Sequence, residues 1–420
     1  MHLDAFIKES DTVYLREKCF NGFFCNFNLI YYTLFVAYSA LTCLTFTSFS
    51  TLSWFHIDQL YFWVRVACIV ILGMRIISQR YAKSTLLIMI GAGCILVIST
   101  LTSGSWGILL AALFIISGKN ASLQKIAKCL LWSNLGITIL AIVAANIGLI
   151  PSFNLGARRA YGFTHPNSLG VSILTTCCAY GVINFRKFRW FDFLLYGYAF
   201  YFCYEVACSR TSSYAIALIA VASFLVSVIP QKIIDKPFLC VGTVLLIGLS
   251  VFSIWLMINY NPLIGWMYNF DRLLSNRIDL MHHYYVTYHL HPFGFDFSTM
   301  QETYNIHVSQ NMTGVYTTFI VDNSYAHVFL ESGYIVWTLI IVLYISFLVK
   351  QIKVGILSAS SFGLILFAVV GFTENAGLSI SNNFCLVAFV SFIFEHVFLE
   401  DEGAYPVCRM HDCEQYRPKW

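Results

Sequence analysis

Five arginines, one histidine and two carboxylates stand out by their placement in this chain. Arg158 and Arg159 open the stretch Arg-Arg-Ala-Tyr-Gly-Phe-Thr-His-Pro-Asn-Ser-Leu-Gly, which sets two cations, His165 and three helix-breaking residues between long apolar runs. Arg210 follows an apolar run in Ser-Arg-Thr-Ser-Ser, and Arg272 and Arg277 lie in a long stretch rich in Tyr and His. Asp322-Asn323-Ser-Tyr325 precedes one apolar run, and Glu374-Asn375 follows another. The chemistry these side chains offer is anion handling. A guanidinium presents a rigid fork of donors matched to phosphate oxygens, so a cluster of arginines points to a diphosphate or a similar anion. His165 brings a group that can move a proton near neutral pH. Pro166 suits the first position of a helix. Asn167 or Ser168 can help cap that helix, whose N-terminus itself attracts anions. Each residue also has a plainer reading. An arginine at a membrane interface can snorkel, and Arg210 has Glu205 five residues earlier as a partial partner. His165 can serve as a structural hydrogen-bonding group, and Asp322 and Glu374 as ion-pair partners of the arginines.

The elements that must position these residues are membrane helices. The 420 residues are 58% hydrophobic and 11% charged, with a mean hydropathy of +0.71. A soluble domain carries about 25% charged residues, so water is not the main solvent here. Aromatics make up 17%, which suits wide interfacial belts. Spans need about 20 apolar residues. Runs of that kind lie near 28–49, 60–79, 84–102, 104–118, 127–149, 167–185, 190–208, 212–230, 237–259, 323–349, 355–373 and 377–397. The pattern predicts an all-α, polytopic integral membrane bundle of about 12 transmembrane helices; the pair within 84–118 is split only by Ser103-Gly104-Ser105. No alternation lasts long enough for a barrel.

Orientation follows from Lys and Arg, which favour cytoplasmic connections. With both termini cytoplasmic, 19 of the 25 fall inside, Arg65 lies within the second span, and only Arg158, Arg159, Arg210, Arg272 and Arg277 fall outside. Residues 1–27 then form a cytoplasmic segment, 28–397 the bundle, and 398–420 a cytoplasmic tail. Two extracytoplasmic loops are long, at about 151–166 and 260–322. Loops beyond ~12–15 residues are commonly functional or disordered, and the second is too aromatic for disorder. Within it, 271–290 is expected to be a helix with Arg277, Met281, Tyr284 and Tyr288 on one face. Its five histidines, counting His307, show no His-Glu-x-x-His pattern and no clear carboxylate partner, so no metal is expected. The net charge of +4 without a basic run gives no sign of nucleic acid. Most of the 14 cysteines lie in apolar stretches, where cysteine acts as a small hydrophobe.

These stretches together resemble a known family. Gly162-Phe-x-His165-Pro-Asn167-x-x-Gly170 after an arginine is similar to a motif of Wzy-type polysaccharide polymerases, in the O-antigen polymerase and ligase superfamily. Ser209-Arg210-Thr211, then Arg277 leading to Pro292-Phe-Gly294, then Asp322-Asn323-x-Tyr325, resemble the later motifs in order and sidedness. The resemblance covers the chain from about 150 onward. It implies a bacterial inner-membrane glycosyltransferase that joins oligosaccharide repeats carried on undecaprenyl diphosphate, for capsule, O-antigen or exopolysaccharide. The growing glycan would be donor, the lipid diphosphate would leave, and the anomeric carbon would invert, without metal or other cofactor. A flippase and a chain-length regulator are the implied protein partners. Arg158, Arg159, Arg210 and Arg277, with Asn167, Asn323 and Tyr325, would bind the substrate diphosphate; His165 would be the base, with Glu374 or Asp322 second. A ligase that passes a finished glycan to another acceptor would present a similar site. A transporter of the same lipid is the reading from a different class. It would favour inverted repeats and broken helices at mid-bilayer, which are not evident.

Overall fold

Long uncharged runs bury their backbone polar groups by closing helical hydrogen bonds on themselves, and polar residues at their ends set the boundaries. The computed structural model describes residues 12–13, 27–79, 81–155, 158–297, 302–305, 313–316 and 321–394. Among the described residues, eight helices are long and apolar enough to cross a membrane. They are α1 (Phe27–Thr45), α2 (Ile57–Ser78), α3 (Lys83–Ser103), α5 (Leu123–Asn146), α6 (Pro166–Ile183), α8 (Arg210–Val228), α9 (Gln231–Asn259) and α13 (Tyr334–Val354). Shorter helices are α4 (Gly107–Ser117), α7 (Trp190–Tyr201), α10 (Gly265–Leu273), α11 (Arg277–Tyr288), α12 (Ser324–Glu331) and α14 (Ala359–Val370). Three small antiparallel ladders pair Thr12–Val13 with Tyr81–Ala82, Asn154–Leu155 with Arg158–Arg159, and Glu302–Asn305 with Thr313–Tyr316.

The remaining four expected spans take other forms. Run 104–118 is the 11-residue α4 and run 355–373 the 12-residue α14. Run 190–208 is α7 continued by a π turn, Phe202–Val206. Run 377–397 contains a 3-10 helix, Phe384–Phe392. For three of them the physical reason is burial, whereas α7 stays largely exposed through Trp190, Phe191, Leu194 and Tyr198. Apolar stretches of 10–14 residues are more often core helices than spans, and α14 is buried along nearly its whole length. The 3-10 segment packs against α4, α5 and α14 with Phe384, Cys385, Val387 and Phe389 buried. By contrast α2 and α3 expose Trp63, Ile77, Leu87 and Leu101, as lipid-facing helices do. The expected single helix at about 271–290 is instead α10 and α11, broken where Ser275 and Asn276 both take positive φ.

Backbone bonds sort the connections onto two ends. At one end Ser48 N donates to Gly162 O at 2.7 Å and Thr164 N to Phe46 O at 2.9 Å. At that same end the turn after α11 docks on the start of α13. Tyr334 N and Ile335 N donate to the carbonyls of His291 and Pro292. Gly294 (φ 89°) lets this turn close, because a Cβ there would lie 1.9 Å from Glu331 O. At the opposite end Arg186 pairs with Asp235 at 2.5 Å, and Asp235 accepts Leu357 N at 3.0 Å, tying two connections to the start of α9.

Candidate functional site

The turn Tyr161-Gly162 brings the Arg158 strand back onto the bundle. Gly162 has φ 84°, and a Cβ there would meet Ala141 O at 2.4 Å, so α5 leaves room only for glycine. Strand alternation then separates the two arginines. Arg158 is half-buried and donates through Nη2 to Asn167 Oδ1; Arg159 is exposed. Helix α6 starts at the same place. His165 is its N-cap, and Nδ1 accepts Asn167 N at 3.1 Å. The histidine itself therefore does the capping expected of Asn167 or Ser168, and Asn167 turns to Arg158. One turn on, Gly170 lies against Ser209, where a Cβ would be 2.3 Å from Ser209 Oγ. This close approach sets the start of α8, Arg210 and Thr211, beside the start of α6.

Arg277 is the hub. It is the first residue of α11, whose N-terminus is held by buried Asp271: Oδ1 accepts Ile278 N at 2.8 Å, and Oδ2 accepts Tyr260 OH at 3.0 Å. Arg277 Nε lies 3.0 Å from Asp322 Oδ2, and Nη1 lies 3.2 Å from Glu374 Oε1. Thr211 Oγ1 donates to the same Glu374 oxygen and accepts from Arg277 Nη2 at 3.5 Å. The side chains of Arg277 and Glu374 are 9% and 2% exposed, whereas Asp322 is 32% exposed. Glu374 is fixed through its backbone. Ser324 Oγ donates to Glu374 O at 2.6 Å, Ser324 N to Gly371 O at 2.8 Å, and Asn323 Nδ2 to Phe372 O at 2.8 Å. A narrow, largely apolar cleft walled by Leu256, Ile278, Met281 and Phe372 lies beside Arg277.

The electrostatics bind these residues into one group. Burial, and then the Arg158 charge, lowers the pKa of His165 below the usual histidine value; Asp322 opposes this and Arg277 adds to it. His165 is therefore neutral at neutral pH. Because Nδ1 already accepts a backbone N–H, its proton sits on Nε2. Burial lowers the Arg158 guanidinium, with Arg277 and Arg210 contributing in the same direction. For Arg277 burial also acts downward, but Asp322 and Glu374 overturn it and raise the pKa. Burial, then the Asp322 charge, keeps the Glu374 carboxyl above the ordinary range, and Arg277 and Thr211 only partly offset this. Among the described residues neither Arg158 nor Arg210 has a carboxylate within ion-pairing distance. The group can thus offer two guanidiniums that, among the described residues, make no ion pair, together with a neutral imidazole N–H and a partly exposed carboxylate.

Of the ten candidate residues, Arg158, His165, Asn167, Arg210, Arg277, Asp322 and Glu374 come together. Arg159 points elsewhere. Asn323 caps α12, accepting Tyr325 N and Ala326 N at 3.0 Å each, and its amide is spent on Ser253 and Phe372. Tyr325 is buried, donating to Ala368 O at 2.6 Å. Thr211 received no role from the sequence, although its place directly after Arg210 put it on the page. Among the described residues no group of three or more His, Cys, Asp or Glu side chains is arranged to hold a metal ion. Neither a family model, nor a curated protein, nor a solved structure matches this chain.

Proposed function

We propose that this protein is a membrane glycosyltransferase that polymerises oligosaccharide repeats carried on undecaprenyl diphosphate, acting at the arginine-bearing end of the bundle, outside the bacterial cytoplasmic membrane. The observation that carries this reading is the convergence of Arg158, Arg210, Arg277, His165, Asp322 and Glu374, drawn from five separate segments, at one end of an apolar helical bundle. The donor's diphosphate takes Arg158 and Arg210, which among the described residues have no carboxylate within ion-pairing distance. Fixed cations where charge builds up on a leaving group lower the barrier without reorganising at the moment of reaction. His165 donates from Nε2 to a phosphoryl oxygen. That moves it from the base expected of it to a donor, because Nδ1 is already committed.

The base is then a carboxylate. Asp322 is the more accessible, and Oδ1 accepts no hydrogen bond among the described residues. An acceptor sugar hydroxyl attacks the anomeric carbon as its proton passes to Asp322. The bond from that carbon to the phosphate oxygen breaks, its electron pair leaves with the lipid diphosphate, and the configuration inverts. Glu374 stays buried and holds Arg277 in place. Purified protein in nanodiscs, supplied with lipid-linked single repeats, tests the reading: a ladder of chain lengths is expected. A protein that builds no ladder alone, but transfers glycan once a separate acceptor is added, would belong to the ligase branch.

A further inference from the structure

We propose that α10 is a membrane-surface helix, seated at the boundary between headgroups and acyl chains, and that its lipid contact sets the height of Arg277. Helix α10 lies outside the spans, between the end of α9 and the start of α11. Its buried residues are Met267 and Asp271. At about 100° per residue, Trp266, Phe270 and Leu273 share one flank and Tyr268 and Arg272 the other. Trp266 and Leu273 are 51% and 74% exposed, which in water would be a costly display of apolar surface for a nine-residue helix.

The span before it indicates what covers that flank. In α9 the exposed residues Val241, Val244, Val251 and Trp255 fall on one stripe, the surface this helix turns to lipid. The stripe does not stop at the helix end. Trp255 stacks on Trp266 with ring centroids 6.1 Å apart and planes 9° from parallel. Phe252 continues the contact to Phe270 at 6.1 Å. The lipid-facing surface of α9 thus runs on to the apolar flank of α10. Paired tryptophans at the end of a span are the usual residents of the interfacial zone. On the other flank the Arg272 guanidinium lies 5.8 Å from the Tyr268 ring, a cation and a phenol suited to headgroups and water. Two residues after α10 ends, the Ser275-Asn276 turn delivers Arg277. A seat at the membrane surface therefore places the arginine hub at headgroup level, where the phosphate of any bilayer lipid lies.

Tryptophan quenching tests this. The intact chain would be reconstituted in bilayers containing lipids brominated high or low on the acyl chain. The Trp266 emission is the difference between wild type and Trp266→Phe, a change that keeps an aromatic ring in the stack. A second variant, Trp266→Phe with Tyr268→Trp, moves the probe to the opposite flank. The expected result is that lipids brominated high on the chain quench Trp266 severalfold more than the probe at 268, and more than lipids brominated low on the chain do. Absence of quenching at Trp266, or equal quenching of both flanks, would overturn the proposal. So would shielding of Trp266 that disappears when the protein is diluted into excess lipid, since a second copy of the chain would then be the cover.

Discussion

Asp322 and Glu374 already occupy two sides of Arg277, so the resting site carries its own anions. Replacing Asp322 by Asn is then predicted to separate binding from turnover. The Asp322 carboxylate lies 3.0 Å from Arg277 and is 32% exposed. A phosphoryl group held by Arg158 and Arg210 would sit beyond it. At an effective dielectric constant near 20, unit charges about 6 Å apart interact by ~2.8 kcal/mol. One-third exposure lets solvent screen this, and halving it leaves ~1.4 kcal/mol per ligand charge, roughly tenfold in affinity. Asp322→Asn should bind inorganic diphosphate about tenfold more tightly by calorimetry in detergent, while polymer growth falls to background because the base is gone. Weaker binding in this variant would refute the charge argument, for it would mean that Asp322 organises Arg277 more than it repels the ligand. Undiminished polymer growth would remove Asp322 from the chemistry and leave the binding argument standing.

Three further outcomes follow from the same geometry. Thr211→Val removes the hydroxyl that donates to Glu374 and should cost ~1.5–3 kcal/mol of transition-state stabilisation, the value of a hydrogen bond to a charged group, whereas Thr211→Ser should keep most activity; equal rates in the two variants would contradict this. Since burial and the Arg158 charge depress the folded-state pKa of His165, the unfolded chain binds the proton more readily. Stability should therefore be lost as pH falls from the ordinary histidine range toward the folded value. His165→Asn, which can still cap α6, should flatten that part of the profile of apparent Tm against pH. Gly294→Ala forces a Cβ onto Glu331 O at φ 89° and should destabilise by ~2–3 kcal/mol or more, read as a fall in apparent Tm.

Much of this architecture was legible because apolar length is a direct physical demand. Eight of the twelve expected spans contain helices of spanning length, seven with boundaries shifted by a few residues, while 323–349 is divided at Ser332-Gly333 into α12 and α13. The other four take shorter or irregular forms, and in three of them burial is the reason, whereas 190–208 stays largely exposed. A run such as 359–370 is apolar whether it faces lipid or lies inside a bundle, and only its neighbours decide. Residue types also pointed to a gathering of cations and to Asp322 and Glu374 as their ion-pair partners, yet not to Arg277 as the arginine that both acids hold. The choice between Arg158 and Arg159 turned on a two-residue strand. The break at Ser275-Asn276 turned on two positive φ angles, and Asn is among the residues that adopt them most readily. His165 was readable as a proton carrier, but its cap bond fixes which nitrogen is free, and that bond exists only once the chain turns into α6.

The order in which the cluster is spelled along the chain bears on how the protein is made. Arg158, His165, Thr211 and Arg277 are synthesised well before Asp322, and Glu374 comes last. A guanidinium shut away from water without a counter-charge is strongly unfavourable. The α11 region therefore gains its first counter-charge with Asp322, and its buried one only when the ribosome has delivered Glu374. A nascent chain arrested short of residue 374 would hold its membrane segments together around an unfinished centre.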